Sequence, residues 1–160
     1  LDDPALLKGF FAAIRECAQA GWLQAYHDRS DGGLFVALAE MAFASQCGLD
    51  VDLGPVSDPV AMLYAEELGA VVQVKDEDLA NVISALARHG LGQHTRALGR
   101  PVEGARVRIG VQGRTLLDES RGDLRRAWSE TSFRMRELRD DPECAREEYA
   151  ALADDADPGL

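Results

Sequence analysis

The amino-acid sequence predicts a chain in which helices and strands alternate, and three observations carry that expectation. The stretch LDDPALLKGFFAAIRECAQAG places Leu6, Leu7, Phe10, Phe11, Ile14, Cys17 and Ala18 at helical spacing. LDVDL, from Leu49 to Leu53, alternates apolar and acidic residues with period two, as a half-buried strand does. AVVQV, from Ala70 to Val74, is a nearly continuous apolar run of strand length, the pattern of a strand covered on both faces. No segment repeats, and no Ser-rich or Gly-rich stretch of low complexity interrupts the alternation.

Taken in order, the first helix is capped by Asp3, carries Pro4 in its first turn and stops at Gly21. WLQAYH follows as a short strand. GGLFVALAEMAFASQCG is a second helix, apolar on most sides and so expected to be buried on most sides, with Gly48 ending it. After LDVDL and the breaker GPVSDP, VAMLYAEELG reads as a short helix, then AVVQV as a strand. DEDLANVISALARHG opens with acids, which suit the positive end of a helix dipole, and closes on Arg88, His89 and Gly90. HTRALGR, ARVRIGV and RTLLDES come next, the last two joined at Gln112-Gly113 as a hairpin. The remainder is charged and helical, broken near Pro142. This divides the chain into an α/β core over residues 1–120, a charged helical extension over 121–152 and a linker over 153–160, where ADDADPGL is acidic, small and rich in breakers. The first residue is Leu1 and not Met, so the reading expects a piece of a longer chain that continues into another domain.

Composition narrows what such a domain can do. A chain of 160 residues with 46% hydrophobic residues can bury a sizeable core, and no apolar run approaches the ~20 residues of a bilayer span. The formal charge is −11, from 28 acidic residues against 17 Lys and Arg. That balance opposes adhesion to nucleic acid or to an anionic membrane, both of which reward clustered basic residues. Cys17, Cys47 and Cys144 are far apart, odd in number and without histidines at zinc spacing, so they read as buried or incidental thiols of a reducing cytosol. Any phosphate ligand has to be held locally.

The one stretch that gathers chemistry is AYHDRSDGGLFVALAEMAF. If the strand runs on in extended form, side chains two apart share a face, so Asp28 and Ser30 point together while Arg29 points away. Gly32 and Gly33 then open a helix, whose unpaired N–H groups and positive dipole end attract an anion and whose missing Cβ atoms let phosphate oxygens approach the backbone. Magnesium favours carboxylate oxygens together with substrate phosphates, so the combination suits a magnesium-nucleotide phosphate. Spacing alone leaves a second reading open: Asp31 as an N-cap, Gly32-Gly33 as a tight turn, and Asp28 as a solvated turn residue. The stretch is neither GxxxxGK[ST] nor GxGxxG. Glu66 and Glu67, read as neighbours on a helix, do not face each other, so one is core-edge and one solvated. LRRAW and FRMRELR are read as a solvated helix face, His27 as a packed or hydrogen-bonding histidine, and no Ser-His-Asp or Cys-His arrangement is assigned.

AYHDRSDGGLFVALAEMAFASQCGLDVDL, then EELGAVVQV, then TSFRMRELRDDPECAREEY, closely resemble the large, single-chain form of phosphoribosylformylglycinamidine synthase, an amidotransferase of purine synthesis. The loop HDRSDGG alone is shared more widely, by aminoimidazole ribonucleotide synthetase, selenophosphate synthetase and relatives. The tail is the specific part. The resemblance implies an α+β fold like the C-terminal domain of aminoimidazole ribonucleotide synthetase, with a mixed β-sheet and packed helices, placed as the C-terminal subdomain of the second synthetase half. It implies an ATP-dependent, cytoplasmic ligase that converts formylglycinamide ribonucleotide and glutamine to formylglycinamidine ribonucleotide.

Residue by residue, the resemblance makes Asp28 a magnesium ligand and Ser30 a nucleotide contact, gives Gly32 and Gly33 a backbone role at the nucleotide, and leaves Asp31 a structural cap. It implies Mg2+ and ATP or ADP as cofactors, the nucleotide in this half being retained and structural in such enzymes. The partners implied are the other domains of the same chain: the preceding synthetase subdomains, with the remaining magnesium ligands and most nucleotide contacts, and a glutaminase domain. No catalytic residue is assigned here, so the fragment alone is expected to be inactive. The competing reading is a free-standing binding or scaffold module with the same fold, in which the loop is only a turn. A kinase or synthetase relative acting on another substrate is disfavoured by TSFRMRELRDDPECA.

Overall fold

The computed structural model describes residues 3–154. Most of the expected linker, residues 155–160, therefore lies outside the described residues. In chain order the elements are α1 (Pro4–Gln19), β1 (Leu23–Asp28), α2 (Gly33–Ser45), β2 (Gly48–Asp52), α3 (Pro59–Tyr64), β3 (Ala70–Val74), α4 (Leu79–Arg88), β4 (Gly99–Val102), β5 (Arg106–Val111), β6 (Arg114–Ser120), α5 (Arg121–Arg139) and α6 (Pro142–Ala151). The chain forms two compact units, Leu1–Ala37 with Tyr64–Ala97, and Leu38–Leu63 with Leu98–Leu160. No helix among the described residues is long and apolar enough to cross a membrane.

In the first unit α1 begins as its sequence dictates: the Asp3 carboxylate accepts the Ala5 N–H at 2.8 Å, and Pro4 sits where no N–H is needed. Its buried stripe is narrower than the apolar spacing implied. Ala13 and Cys17 are fully buried against Val82, Ala85 and Leu86 of α4 and against Leu91, with Leu6 and Phe10 packed on the same cluster. Leu7 and Phe11 are exposed, because they lie about 90° and about 130° around the helix from the middle of that stripe. The two helices approach closely at Gly9, where a Cβ would stand 2.3 Å from the His89 carbonyl oxygen. Glu16 ties the same pair together, receiving the Arg88 guanidinium and, at 2.9 Å, His89 Nε2. Strands β1 and β3 pair antiparallel, with Leu23 opposite Val74 and Asp28 opposite Ala70.

The second unit holds a four-stranded sheet in the order β4-β2-β5-β6. β2 runs parallel to β5 and antiparallel to β4, and β5 and β6 form the expected hairpin, with Gln112 and Gly113 at φ 49° and 78° in its two-residue turn. The fold is therefore α+β, with a mixed sheet and packed helices. Val51, Leu53, Val107 and Ile109 form its interior, Leu53 and Val107 with no exposed surface. From Gly33 to Phe43 no residue of α2 is exposed, as its all-round apolar sequence requires.

Two boundaries differ from the sequence reading. Gly48 does not end α2; Gln46 takes the left-handed turn at φ 52°, and Gly48 is the first residue of β2, where a Cβ would meet the Arg106 carbonyl at 2.5 Å. A glycine read as a stop signal is thus set by close approach between strands. The short helix of VAMLYAEELG ends at Tyr64, so Glu66 and Glu67 stand in a loop and both are exposed.

The charged tail forms α5 and α6. Ser120 caps α5 by accepting the Asp123 N–H at 3.0 Å, and Asp141 caps α6 next to Pro142, which explains the break there. The two helices are stapled by Phe133 and Tyr149, stacked with ring centroids 4.1 Å apart, and by Arg146 donating to Glu137 at 2.8 Å. Trp128 joins α5 to α2 through Phe43 and through an Nε1–H donated to Glu40 at 2.8 Å.

Candidate functional site

The loop HDRSDGG lies in the first unit, between β1 and α2, and faces the α3–β3 connection. Strand β1 alternates half-buried and exposed residues, and the alternation continues past its end. Asp28 and Ser30 are exposed and Arg29 between them is half-buried, which is the shared outward face the sequence reading expected for the carboxylate and hydroxyl. The extended conformation persists because the pairing with the β3 side does: Arg29 N–H donates to the Gly69 carbonyl at 2.8 Å, one step beyond the Asp28–Ala70 register. His27 turns to the other side of the strand, and its Nδ1–H donates to the Asp28 carbonyl at 2.6 Å. Tyr26 shares the outer face with Asp28; partial burial, and then the nearby carboxylate, push its phenol above its ordinary range.

Gly32 and Gly33 both adopt left-handed backbone, at φ 79° and 68°. An L side chain at Gly32 is strained by that angle and also by space, since a Cβ would lie 2.2 Å from Val36 Cγ2. This pair swings the chain from the strand directly into α2, leaving the first turn of the helix beside Asp28 and Ser30. The sequence reading left the N–H groups here unpaired; in the structure each has a partner. Gly33 N–H donates to the Ser30 carbonyl at 2.9 Å, and Gly32 N–H donates to Glu66 Oε1 at 3.0 Å. Asp31, read as the cap, is exposed and makes no such contact; the carboxylate that meets this end of the helix belongs to Glu66. Sequence reasoning missed Glu66 because it was read as helical, and its partner is 34 residues away.

The donor set does not by itself fit magnesium. Among the described residues no group of three or more His, Cys, Asp or Glu side chains converges, whereas magnesium demands near-octahedral oxygen coordination. Asp28 brings one exposed carboxylate.

A second carboxylate is firmly held, and its role is architectural. Asp52, at the end of β2, accepts the Gly113 N–H at 2.8 Å, the Gly54 N–H at 2.7 Å and the Gln112 N–H at 3.0 Å, which together hold its carboxyl below the ordinary range. It locks the β5–β6 turn onto the neighbouring strand. Asp118 is likewise held, by Arg106 at 2.7 Å.

Fold and loop together define an α+β domain with a glycine-turned strand-to-helix loop. The profile described as AIR synthase related protein, C-terminal domain, matches residues 1–112, and the chain belongs to that family. Among solved structures it is similar to phosphoribosylformylglycinamidine synthase II from Thermotoga maritima, at 18% identity and a TM-score of 0.65, covering 74% of this chain and 21% of that one. T. maritima PurL complexed with ATP gives 18% identity, a TM-score of 0.64 and the same two shares, and T. maritima PurL complexed with ADP gives 18% and 0.65, again with those shares. At this identity the likeness is one of fold. The chain spans about a fifth of the length of these structures.

Proposed function

We propose that this chain is the C-terminal subdomain of the second synthetase half of a large, single-chain phosphoribosylformylglycinamidine synthase, and that its loop from Asp28 to Gly33 contributes to a magnesium-nucleotide site. The observation that carries this reading is the outward pair Asp28 and Ser30 standing directly before a helix opened by two left-handed glycines. Family membership and the nucleotide complexes of the similar T. maritima structures support it. In this reading residues 1–120 are the synthetase subdomain, 121–152 its helical extension and 153–160 the way to a glutaminase domain, all within a cytoplasmic ligase that uses glutamine as amide donor. Asp28 is one ligand of a Mg2+ whose other ligands come from the preceding subdomain, Ser30 contacts the nucleotide, and Gly32 and Gly33 let it approach. The nucleotide at this loop is retained and structural, and this chain's residues orient it and take no part in phosphoryl transfer. The isolated 160-residue chain is inactive; formation of the amidine product from ammonia, ATP and the ribonucleotide by this chain alone would refute that.

The test of the site uses the full-length enzyme. It is purified and denatured, and released adenine nucleotide is quantified for wild type and Asp28→Ala. Nucleotide released by wild type and lost in the variant supports the reading; equal release from both, or none from either, sinks it. One observation favours the competing reading of a turn in a free-standing module: Glu66 already satisfies the Gly32 N–H.

A further inference from the structure

We infer that Glu66 is a positioning residue of the nucleotide loop, holding Gly32 in the left-handed conformation that turns the chain from the Asp28–Ser30 stretch into α2. The inference rests on the nucleotide reading above and extends it to a residue outside the loop. Three contacts in series join the two sides of the β1–β3 pair at this end: Asp28 opposite Ala70, Arg29 N–H to the Gly69 carbonyl at 2.8 Å, and Gly32 N–H to Glu66 Oε1 at 3.0 Å. The first is a register pair and the second a backbone bond, and any sequence can make both. The third depends on one side chain, and it acts at the residue where the chain leaves extended geometry for φ 79°. The side-chain oxygen accepts that N–H and so fixes its direction. Glu66 is itself exposed, in a loop with no helix to hold it, so the contact is not a by-product of burial. Its neighbour Glu67 is equally exposed and makes no such contact, which provides an internal control.

A positioning role predicts that the acceptor oxygen matters and the charge does not. The measurement is made on the full-length enzyme, with retained adenine nucleotide first quantified and its exchange with labelled ADP, in the presence of Mg2+, then followed over time. Glu66→Ala should exchange about tenfold faster, the scale of one lost hydrogen bond. Glu66→Gln, which keeps a carbonyl oxygen at the same reach, should exchange at nearly the wild-type rate, as should Glu67→Ala. Hydrogen exchange at the Gly32 amide gives a readout independent of ligand: faster in Glu66→Ala, unchanged in Glu66→Gln. Equal loss in the Ala and Gln variants would make the charge the active feature and overturn the positioning role. Wild-type behaviour of Glu66→Ala, with Asp28→Ala still losing its nucleotide, overturns it while the nucleotide reading stands. Full retention in Asp28→Ala removes that reading and this inference with it. If Glu66→Ala does not fold, Glu66→Gln still decides, since loss of the retained nucleotide in it, as in Asp28→Ala, contradicts the inference.

Discussion

Replacing Gly32 by alanine isolates the geometric demand of the loop. At φ 79° a residue with a Cβ is disfavoured by about 1–2 kcal/mol relative to right-handed backbone. The added methyl would also stand 2.2 Å from Val36 Cγ2 and 2.8 Å from Val36 Cβ, inside the ~3.5–4.0 Å of ordinary carbon contact, so the valine or the first helical turn must shift. Overpacking of that kind costs about 1–3 kcal/mol. The two effects sum to a destabilisation of about 2–5 kcal/mol for Gly32→Ala, read from urea unfolding by linear extrapolation. They are separable, because Val36→Ala removes the Cγ atoms and leaves the backbone angle alone. In the Val36→Ala background the cost of Gly32→Ala should fall by at least about 1 kcal/mol, a coupling measured by the double-mutant cycle. An identical cost in both backgrounds would refute the steric part. A Gly32→Ala protein within about 0.5 kcal/mol of wild type would refute the whole argument.

Ile109, 1% exposed at the centre of the mixed sheet, should cost about 2–5 kcal/mol when cut to alanine, whereas Leu138, 90% exposed on α5, should change stability by less than about 0.5 kcal/mol in the same unfolding assay. Asp52→Ala removes the acceptor for three backbone N–H groups, so amide hydrogen exchange at Gln112 and Gly113 should accelerate relative to the rest of β5 and β6. The carboxyl of Glu16 is held below the ordinary 4.5 by its hydrogen bonds from His89 and then Arg88, so its contribution is complete above that value and is lost as pH falls below it through the lowered folded value. Glu16→Gln should therefore lose most of its destabilising effect at acid pH, compared by thermal unfolding at neutral pH and near pH 3; an equal effect at both would contradict the linkage.

Local patterns carried much of the fold into the sequence. Asp3, Pro4 and Gly21 bound α1, Gln112-Gly113 turns the β5–β6 hairpin and Pro142 separates α5 from α6, and each acts within a few residues of its own backbone. The outward pairing of Asp28 with Ser30 was legible for the same reason, since alternation is a property of any extended chain. Where a residue's role comes from a distant neighbour, its letter misled. Gly48 reads as a helix stop, yet the Arg106 carbonyl sets it; Leu7 and Phe11 share the apolar spacing of α1, yet only one stripe of that helix meets α4.

The sequence by itself therefore determined the order of helices and strands, their caps and turns, and the chemical character of the loop at Asp28, because propensity, capping and periodicity are local. Tertiary structure decided which carboxylates do structural work. Asp52 clamps a turn 60 and 61 residues away, Glu66 reaches a glycine 34 residues away, and Asp31, adjacent to that glycine, does neither. A hydrogen bond depends on distance and direction in space, and the pairing of β1 with β3 and of β2 with β5 brings those donors to those acceptors.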